Sequence, residues 1–173
     1  MIERHLSLVF ICVFCVAVPS AGAQRTRQKD WWRGSSAAVV EHRYAQGEVA
    51  CSLFLYNKDQ AVVVTWSDVK VKEISFYDKD WSLQPNQQVA VAVQIGDTWL
   101  GNPVDEGPPT LMASTNGERV LVPIEQPLED LVRRATRIGI KMADRAMYLE
   151  VGRRKMSALL RAVERCRAML EYR

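Results

Sequence analysis

The middle of the chain carries the hydrophobic pattern of β-strands. Residues 88–95 alternate without fault, with four β-branched side chains on one face. Residues 49–56 also place apolar side chains at alternate positions, and residues 61–66 have the β-branched and aromatic composition that strands favour. Residues 69–77 alternate too, but their phase slips after Val71, which predicts a bulge. These segments predict a sheet.

The clearest local signal is the dipeptide Asn116-Gly117, which separates the strand-like segments 110–115 and 118–124. Because Asn and Gly both tolerate positive φ, the dipeptide predicts a β-hairpin closed by a type I′ turn. Weaker strand patterns lie at 37–41, 138–142 and 146–151.

Beyond Pro123 the hydrophobic period changes to that of helices. Pro127, Glu129 and Asp130 suit the first turn of a short helix. A final helix over residues 153–172 carries one apolar stripe, formed by Met156, Leu159, Val163, Cys166 and Leu170. The predicted fold class is α+β, a mostly antiparallel sheet of six to eight strands with one short helix and a C-terminal helix packed on the sheet.

The first 23 residues have the organisation of a secretory signal peptide. Residues 6–18 are uncharged and apolar, and the small residues Ala21 and Ala23 occupy the positions that a cut before Gln24 requires. The apolar run is shorter than the roughly 20 residues that span a bilayer core. The alternatives are an uncleaved anchor and a buried helix. We expect an exported protein, periplasmic or secreted, with no transmembrane anchor after cleavage.

Removing residues 1–23 leaves 150 of the 173 residues, enough for one domain. Residues 24–36 are polar apart from Trp31 and Trp32, and they predict a flexible N-terminal segment. Residues 37–173 are then expected to form a single α+β domain.

Two cysteines remain after cleavage, Cys51 and Cys166. Export places them in an oxidising compartment, where such a pair usually closes. Cys51 lies in a predicted strand and Cys166 on the apolar stripe of the last helix. We therefore expect a disulfide that pins this helix to the sheet, worth roughly 4–5 kcal/mol in the chain-entropy model.

Charge is distributed unevenly, with a net charge of −5 over residues 24–130 and +8 over residues 131–173. The basic region either forms a face for an acidic partner or neutralises the acidic body at the surface, and the second interpretation is favoured because Lys and Arg mostly lie on solvated faces. A nucleic-acid partner is not expected, since no binding module accompanies the charge. The candidate interaction residues are Trp31, Trp32, Arg153, Arg154, Arg161 and Arg165.

The sequence lacks the residues that several common catalytic and binding sites require. With residues 1–23 removed, His42 is the only histidine, which excludes a zinc site of several histidines and leaves one possible base for a nucleophilic triad. Neither a nucleophile-elbow motif nor a phosphate-binding glycine loop occurs. We predict no catalytic residue, no metal and no cofactor.

Carboxylates are the remaining candidates for catalysis. Asp78 or Asp80 beside Trp81, or the pair Asp105 and Glu106, could serve a glycosidase-like reaction, which uses two carboxylates near an aromatic platform. The favoured interpretation of Asp78 to Trp81 is an acidic turn followed by a core tryptophan.

From Val49 onward the order of features resembles a group of uncharacterised exported proteins of Gram-negative bacteria. The features are Cys-Ser-Leu-Phe-Leu-Tyr, a Val-rich strand, Phe76 to Gln84, a second Val-rich strand and a closing helix with Cys166. A looser resemblance is to the invasion-associated locus B proteins. The resemblance implies export and paired cysteines, and it transfers no active site.

The sequence favours an exported, non-enzymatic envelope protein that acts as a binding or interaction module. Its partner is expected to be another envelope protein or an acidic surface, met by the basic C-terminal region or by the turn-rich loop of residues 102–109. The alternatives are a carboxylate-dependent hydrolase of an envelope polymer and an inhibitor of an exported or host enzyme.

Overall fold

The computed structural model describes residues 25–45, 47–67, 70–101, 110–124 and 128–171. The predicted signal peptide and the loop of residues 102–109, with Asp105 and Glu106, lie outside the described residues.

Eleven strands and two helices make up the described chain. The strands are β1 (Arg25–Arg33), β2 (Ala37–Tyr44), β3 (Val49–Tyr56), β4 (Gln60–Ser67), β5 (Lys70–Asp78), β6 (Gln88–Ile95), β7 (Thr98–Leu100), β8 (Leu111–Asn116), β9 (Arg119–Pro123), β10 (Arg137–Lys141) and β11 (Ala146–Glu150). The helices are α1 (Glu129–Arg134) and α2 (Arg153–Glu171).

All strands join one antiparallel sheet in the order β1-β2-β3-β4-β5-β9-β8-β6-β10-β11, with β7 paired to β6. A mostly antiparallel sheet with a C-terminal helix is confirmed, but the predicted six to eight strands are too few. Two strands that the sequence did not predict, one of them short and the other polar, account for much of the difference in strand number. β7 has three residues, too few to show a period, and β1 lies where the sequence predicts a flexible segment.

The turns of the sheet refine two local predictions. The bulge predicted after Val71 is present, because the β4–β5 register shifts as it passes Lys72. The predicted hairpin at residues 116 and 117 is also present, with Asn116 paired to Arg119. Its two-residue loop is Gly117-Glu118, one position later than expected. Since Gly117 has a φ of +62° and Glu118 does not reach positive φ, the turn has the backbone signature of type II′ rather than type I′.

The two residues that flank the segment 102–109, Gly101 and Thr110, lie close together. β7 and β8 lie along the same side of β6, with Leu100 opposite Val93 and Leu111 opposite Val91. Gly101 ends β7 with a φ of +123°, and a Cβ there would come within 2.4 Å of the Thr110 backbone. The close approach of these two flanking residues therefore requires glycine at position 101.

The main core lies on one face of the sheet, called here the inner face, and a smaller buried cluster of Ala38, Val40, Phe54 and Val63 lies on the opposite face. Registers place the side chains of Ala37, Val39, Cys51, Leu53 and Leu55 on this face. The helix α2 packs against β1, β2 and β3 with its apolar stripe, and α1 packs beside it. No helix in the described chain is long and apolar enough to cross a membrane.

A disulfide joins β3, the third strand of the sheet, to the last helix. Cys51 of β3 and Cys166 of α2 are both fully buried, and their Cα atoms lie 6.2 Å apart. The predicted pairing is therefore confirmed, and it fixes the second turn of α2 from its C-terminus over β3.

Candidate functional site

Two adjacent tryptophans on β1 share the inner face because of a bulge. Asp30 pairs with Val40 and Trp32 with Val39, so Trp31 is the extra residue between them. In a regular strand neighbouring side chains point to opposite faces, whereas here both Trp31 and Trp32 pack against the main core. The bulge therefore presents a pair of aromatic rings to α2.

The rings of Trp31 and Trp32 make different contacts. The Nε1 of Trp31 donates a hydrogen bond of 3.1 Å to Oε2 of Glu41, and the Lys29 ammonium lies 4.0 Å from the centre of the Trp31 ring. Trp31 is thus committed to contacts within the protein. Trp32, which is half-buried, lines a groove beside α2.

This groove, called the Trp32 groove, has a volume of about 600 Å³ and opens to solvent. Its lining residues are Trp32, Ala158, Arg161, Glu164, Arg165 and Ala168. Four of the helical members, at positions 158, 161, 165 and 168, recur at intervals of three and four residues, so they follow one another along α2. Two alanines and the Trp32 ring supply apolar surface between the charged groups.

The groove is positively charged. Glu164 forms an ion pair of 2.7 Å with Arg133 of α1, which neutralises the acidic member of the lining. Arg161 and Arg165 are exposed, and neither takes part in an ion pair among the residues that the structure describes. Two cationic side chains one helical turn apart are therefore available beside the Trp32 ring.

Backbone packing holds the Trp32 ring in place. Gly34 follows β1, and a Cβ at this position would lie 2.5 Å from Cη2 of Trp32, so the ring rests against the glycine. The Tyr56 hydroxyl donates a hydrogen bond of 2.7 Å to the Gly34 carbonyl oxygen. At the start of α2, Lys155 hydrogen-bonds to Ser36 in the same β1–β2 turn. These contacts connect the two walls of the groove.

On β2, next to β1, the buried carboxylate of Glu41 connects the edge strand to the sheet. Arg43 Nε lies 2.6 Å from Glu41 Oε1, and Trp31 occupies the other oxygen. Burial by itself would raise the pKa of Glu41. The hydrogen bonds from Arg43 and Trp31 and the positive charges of Arg43 and Lys29 overcome it and hold this pKa below its ordinary value.

Three of the six candidate interaction residues are brought together by the structure, namely Trp32, Arg161 and Arg165. Trp31 lies next to them but faces Glu41. Arg153 and Arg154 lie in the first turn of α2, roughly 12 Å along the helix axis from Arg161, and they do not line the groove.

The sequence interpretation missed Ala158, Glu164 and Ala168, as well as the contribution of Arg133. The helical spacing of residues 158, 161, 165 and 168 was a usable signal, but nothing in the sequence indicates which strand they face.

The carboxylate candidates that the structure describes belong to a turn. Asp78 accepts hydrogen bonds from the Gln60 side chain at 2.7 Å and from the Asp80 backbone at 2.9 Å. Asp80 is exposed, and Trp81 is buried in the core as expected. The favoured interpretation, an acidic turn before a core tryptophan, agrees with these contacts.

The sequence interpretation also missed Glu73, a largely buried carboxylate on the opposite face of the sheet. Burial raises the pKa of Glu73, and the hydrogen bond from Ser75 with the charges of Arg119 and Lys72 offsets the increase only in part. His42 is fully buried on this face, with its ring edge-on to Phe54 at 6.0 Å. The described residues contain no cluster of three or more His, Cys, Asp or Glu that could hold a metal.

No protein-family model, curated protein or solved structure matches this chain. The resemblance to the invasion-associated locus B proteins therefore stays a prediction, and the residues of the Trp32 groove are the basis for a functional assignment.

Proposed function

We propose that this protein is an exported, non-enzymatic binding module that holds an acidic segment of a partner protein in the Trp32 groove. The observation that carries the proposal is the pair Arg161 and Arg165, which stand one turn apart beside Trp32 without an ion-pair partner in the described chain.

The chemistry of the groove suits a carboxylate-bearing chain. A guanidinium group binds a carboxylate through two parallel hydrogen bonds, and two such groups one turn apart can hold two carboxylates or one carboxylate firmly. Trp and Arg are also the residues most enriched among those that dominate binding energy at protein interfaces. The Trp32 ring and the alanines beside it supply the apolar contact that charge alone lacks.

The positive charges on α2 lower the stability of the helix itself. Arg161 and Arg165 are like charges at a spacing of four, an arrangement that costs an isolated helix about 0.2–0.5 kcal/mol. Local sequence choices that conflict with local stability are expected at functional surfaces, and this conflict supports a binding role for the helix.

The size and lining of the groove suit a protein segment. The groove lies between β1 and α2, its lining combines the Trp32 ring with two arginines, and its volume of about 600 Å³ suits several side chains. The buried disulfide between Cys51 and Cys166 supports an oxidising location, periplasmic or secreted.

A fluorescent oligo-glutamate peptide tests the proposal on the oxidised protein without residues 1–23. We expect salt-sensitive binding that falls by roughly a hundredfold, about tenfold for each arginine, in the double variant R161E/R165E. The control is R153E/R154E, which makes the same charge change on the same helix outside the groove and should lose much less affinity.

Two results would contradict the proposal. Equal losses in the two double variants would mean that net charge, not the groove, attracts the peptide. Binding to vesicles of anionic phosphatidylglycerol, with no binding of the peptide, would mean that the arginines meet a membrane surface.

A further inference from the structure

The strand β1 is an edge of the sheet and borders the Trp32 groove. In the described chain β1 pairs only with β2, so its other edge has no strand beside it. Trp32 belongs to β1, whereas Arg161 and Arg165 belong to α2. A chain that enters the groove from the side of β1 therefore passes a row of backbone N–H and C=O groups.

The charge on β1 selects between possible occupants of this edge. The strand contains Arg25, Arg27, Lys29 and Arg33 against Asp30 alone. Pairing with β1 of a second copy would bring basic residues together, which is unfavourable in neighbouring strands. An acidic strand, in contrast, would be complementary to both the edge and the groove.

The register of β1 indicates where such a strand would lie. Residues 27–30 pair regularly with β2, and register shifts flank them between Arg25 and Arg27 and between Asp30 and Trp32. All four residues are exposed. Lys29 lies opposite Glu41 and so shares the inner-face side with Trp32. Alternate residues of an added strand would therefore point toward the side of Lys29 and the groove.

We propose that the acidic partner segment binds by strand addition along residues 27–30 of β1, with carboxylates at alternate positions that face Lys29 and then Arg161 and Arg165. This inference rests on the proposed function, because it specifies how the same groove takes its partner. Backbone hydrogen bonds to β1 supply part of the affinity, and the alternating carboxylates supply the specificity.

Two synthetic peptides test whether the carboxylates must alternate along the strand. Each has about ten residues, the upper end of the usual strand length. In one, glutamate and valine alternate; in the other, the same residues stand in two blocks. We expect the alternating peptide to bind at least tenfold more tightly, and amide hydrogen exchange of residues 27–30 to slow when it binds.

A third peptide separates backbone pairing from charge. It has the alternating sequence with N-methyl groups on the amides of one edge, which removes the donors that pair with β1. Strand addition predicts a loss of roughly tenfold or more with this peptide. If the methylated and block peptides bind as well as the alternating one and R161E/R165E still abolishes binding, strand addition is wrong while the groove proposal stands. If none of the peptides binds, both proposals fail.

If a second copy of the chain paired with the free edge of β1, the protein would form a dimer, which sedimentation detects. Sedimentation of the protein without peptide should give a monomer. A dimer that K29E stabilises and salt strengthens would show that β1 pairs with itself, and it would overturn the inference.

Discussion

The indole Nε1 of Trp31 donates a hydrogen bond of 3.1 Å to the buried carboxylate of Glu41. Glu41 lies directly opposite Cys51 in the β2–β3 ladder, so this carboxylate stands beside the disulfide that holds α2. This polar contact therefore connects the edge strand that carries the tryptophans to β2, next to the disulfide.

The first prediction concerns Glu41→Gln and its pH dependence. Because folding lowers the pKa of Glu41, the ionised carboxylate stabilises the fold above the ordinary glutamate pKa, and this contribution disappears as the pH falls through the lowered value. We expect E41Q to reduce the free energy of unfolding by about 1–2 kcal/mol at neutral pH, since Arg43 loses a charged partner. The difference from wild type should shrink below pH about 4.3, as measured by urea unfolding.

The matched control for E41Q is Glu48→Gln. Glu48 also forms an ion pair, 2.5 Å from Lys72, but both side chains are largely exposed. Exposed pairs contribute about 0–1 kcal/mol, so E48Q should change stability little at any pH. Equal pH profiles for the two variants would show that burial of Glu41 is unimportant.

The second prediction concerns the disulfide. The bond closes a loop with a sequence separation of 115, so replacing Cys51 and Cys166 by alanine should lower the free energy of unfolding by roughly 4–5 kcal/mol. Both cysteines are fully buried, so the oxidised native protein should not react with a thiol reagent before reduction and unfolding. Two reactive thiols in the native exported protein would exclude the bond.

The third prediction concerns Gly34→Ala. A Cβ at this position would meet the Trp32 ring at 2.5 Å, so the ring must move and the groove must change shape. We expect an altered tryptophan emission spectrum and weaker binding of the oligo-glutamate peptide, by several-fold. The control is Gly152→Ala, where a Cβ meets nothing within 4 Å. A G34A protein that binds as wild type would show that Trp32 does not contact the peptide.

The fourth prediction concerns Gly139→Ala in β10. A Cβ here would lie 2.1 Å from Cδ1 of Tyr148 and 2.7 Å from the Met147 carbonyl oxygen. Overpacking of this kind typically costs about 1–3 kcal/mol, and thermal unfolding measures it. Combining G139A with Tyr148→Ala should restore part of the loss, since the ring clash disappears while the carbonyl contact remains. If the free-energy losses of G139A and Y148A simply add in the double variant, the predicted clash between the new Cβ and the Tyr148 ring is wrong.

The fifth prediction concerns Arg154→Glu in the first turn of α2. This turn holds no acidic residue, and a carboxylate near a helix N-terminus is typically worth about 0.3–1 kcal/mol. We expect R154E to raise the melting temperature at low salt, with a smaller gain at high salt. A drop in stability would show that Arg154 has a contact more important than its place on the helix.

Local patterns in the sequence determined most of the sheet. The alternation of residues 88–95 identified β6, the phase slip after Val71 identified a real bulge, and the glycine at position 117 identified a hairpin. The stripe on α2 and the oxidising compartment expected from residues 1–23 together predicted the disulfide. Each of these signals depends on neighbours within a few residues or on the chemistry of a single pair, and both can be recognised in a sequence.

The tertiary structure alone decided the edge strand and the groove. β1 is polar and carries no period of two, so its strand form comes from pairing with β2 and from packing of its tryptophans on the core. A bulge turned Trp31 and Trp32 to one face, and the disulfide and Lys155 placed α2 beside them. Trp32 and Arg161 are separated by more than 120 residues, and the energy that joins such distant residues arises from packing, which no local pattern records.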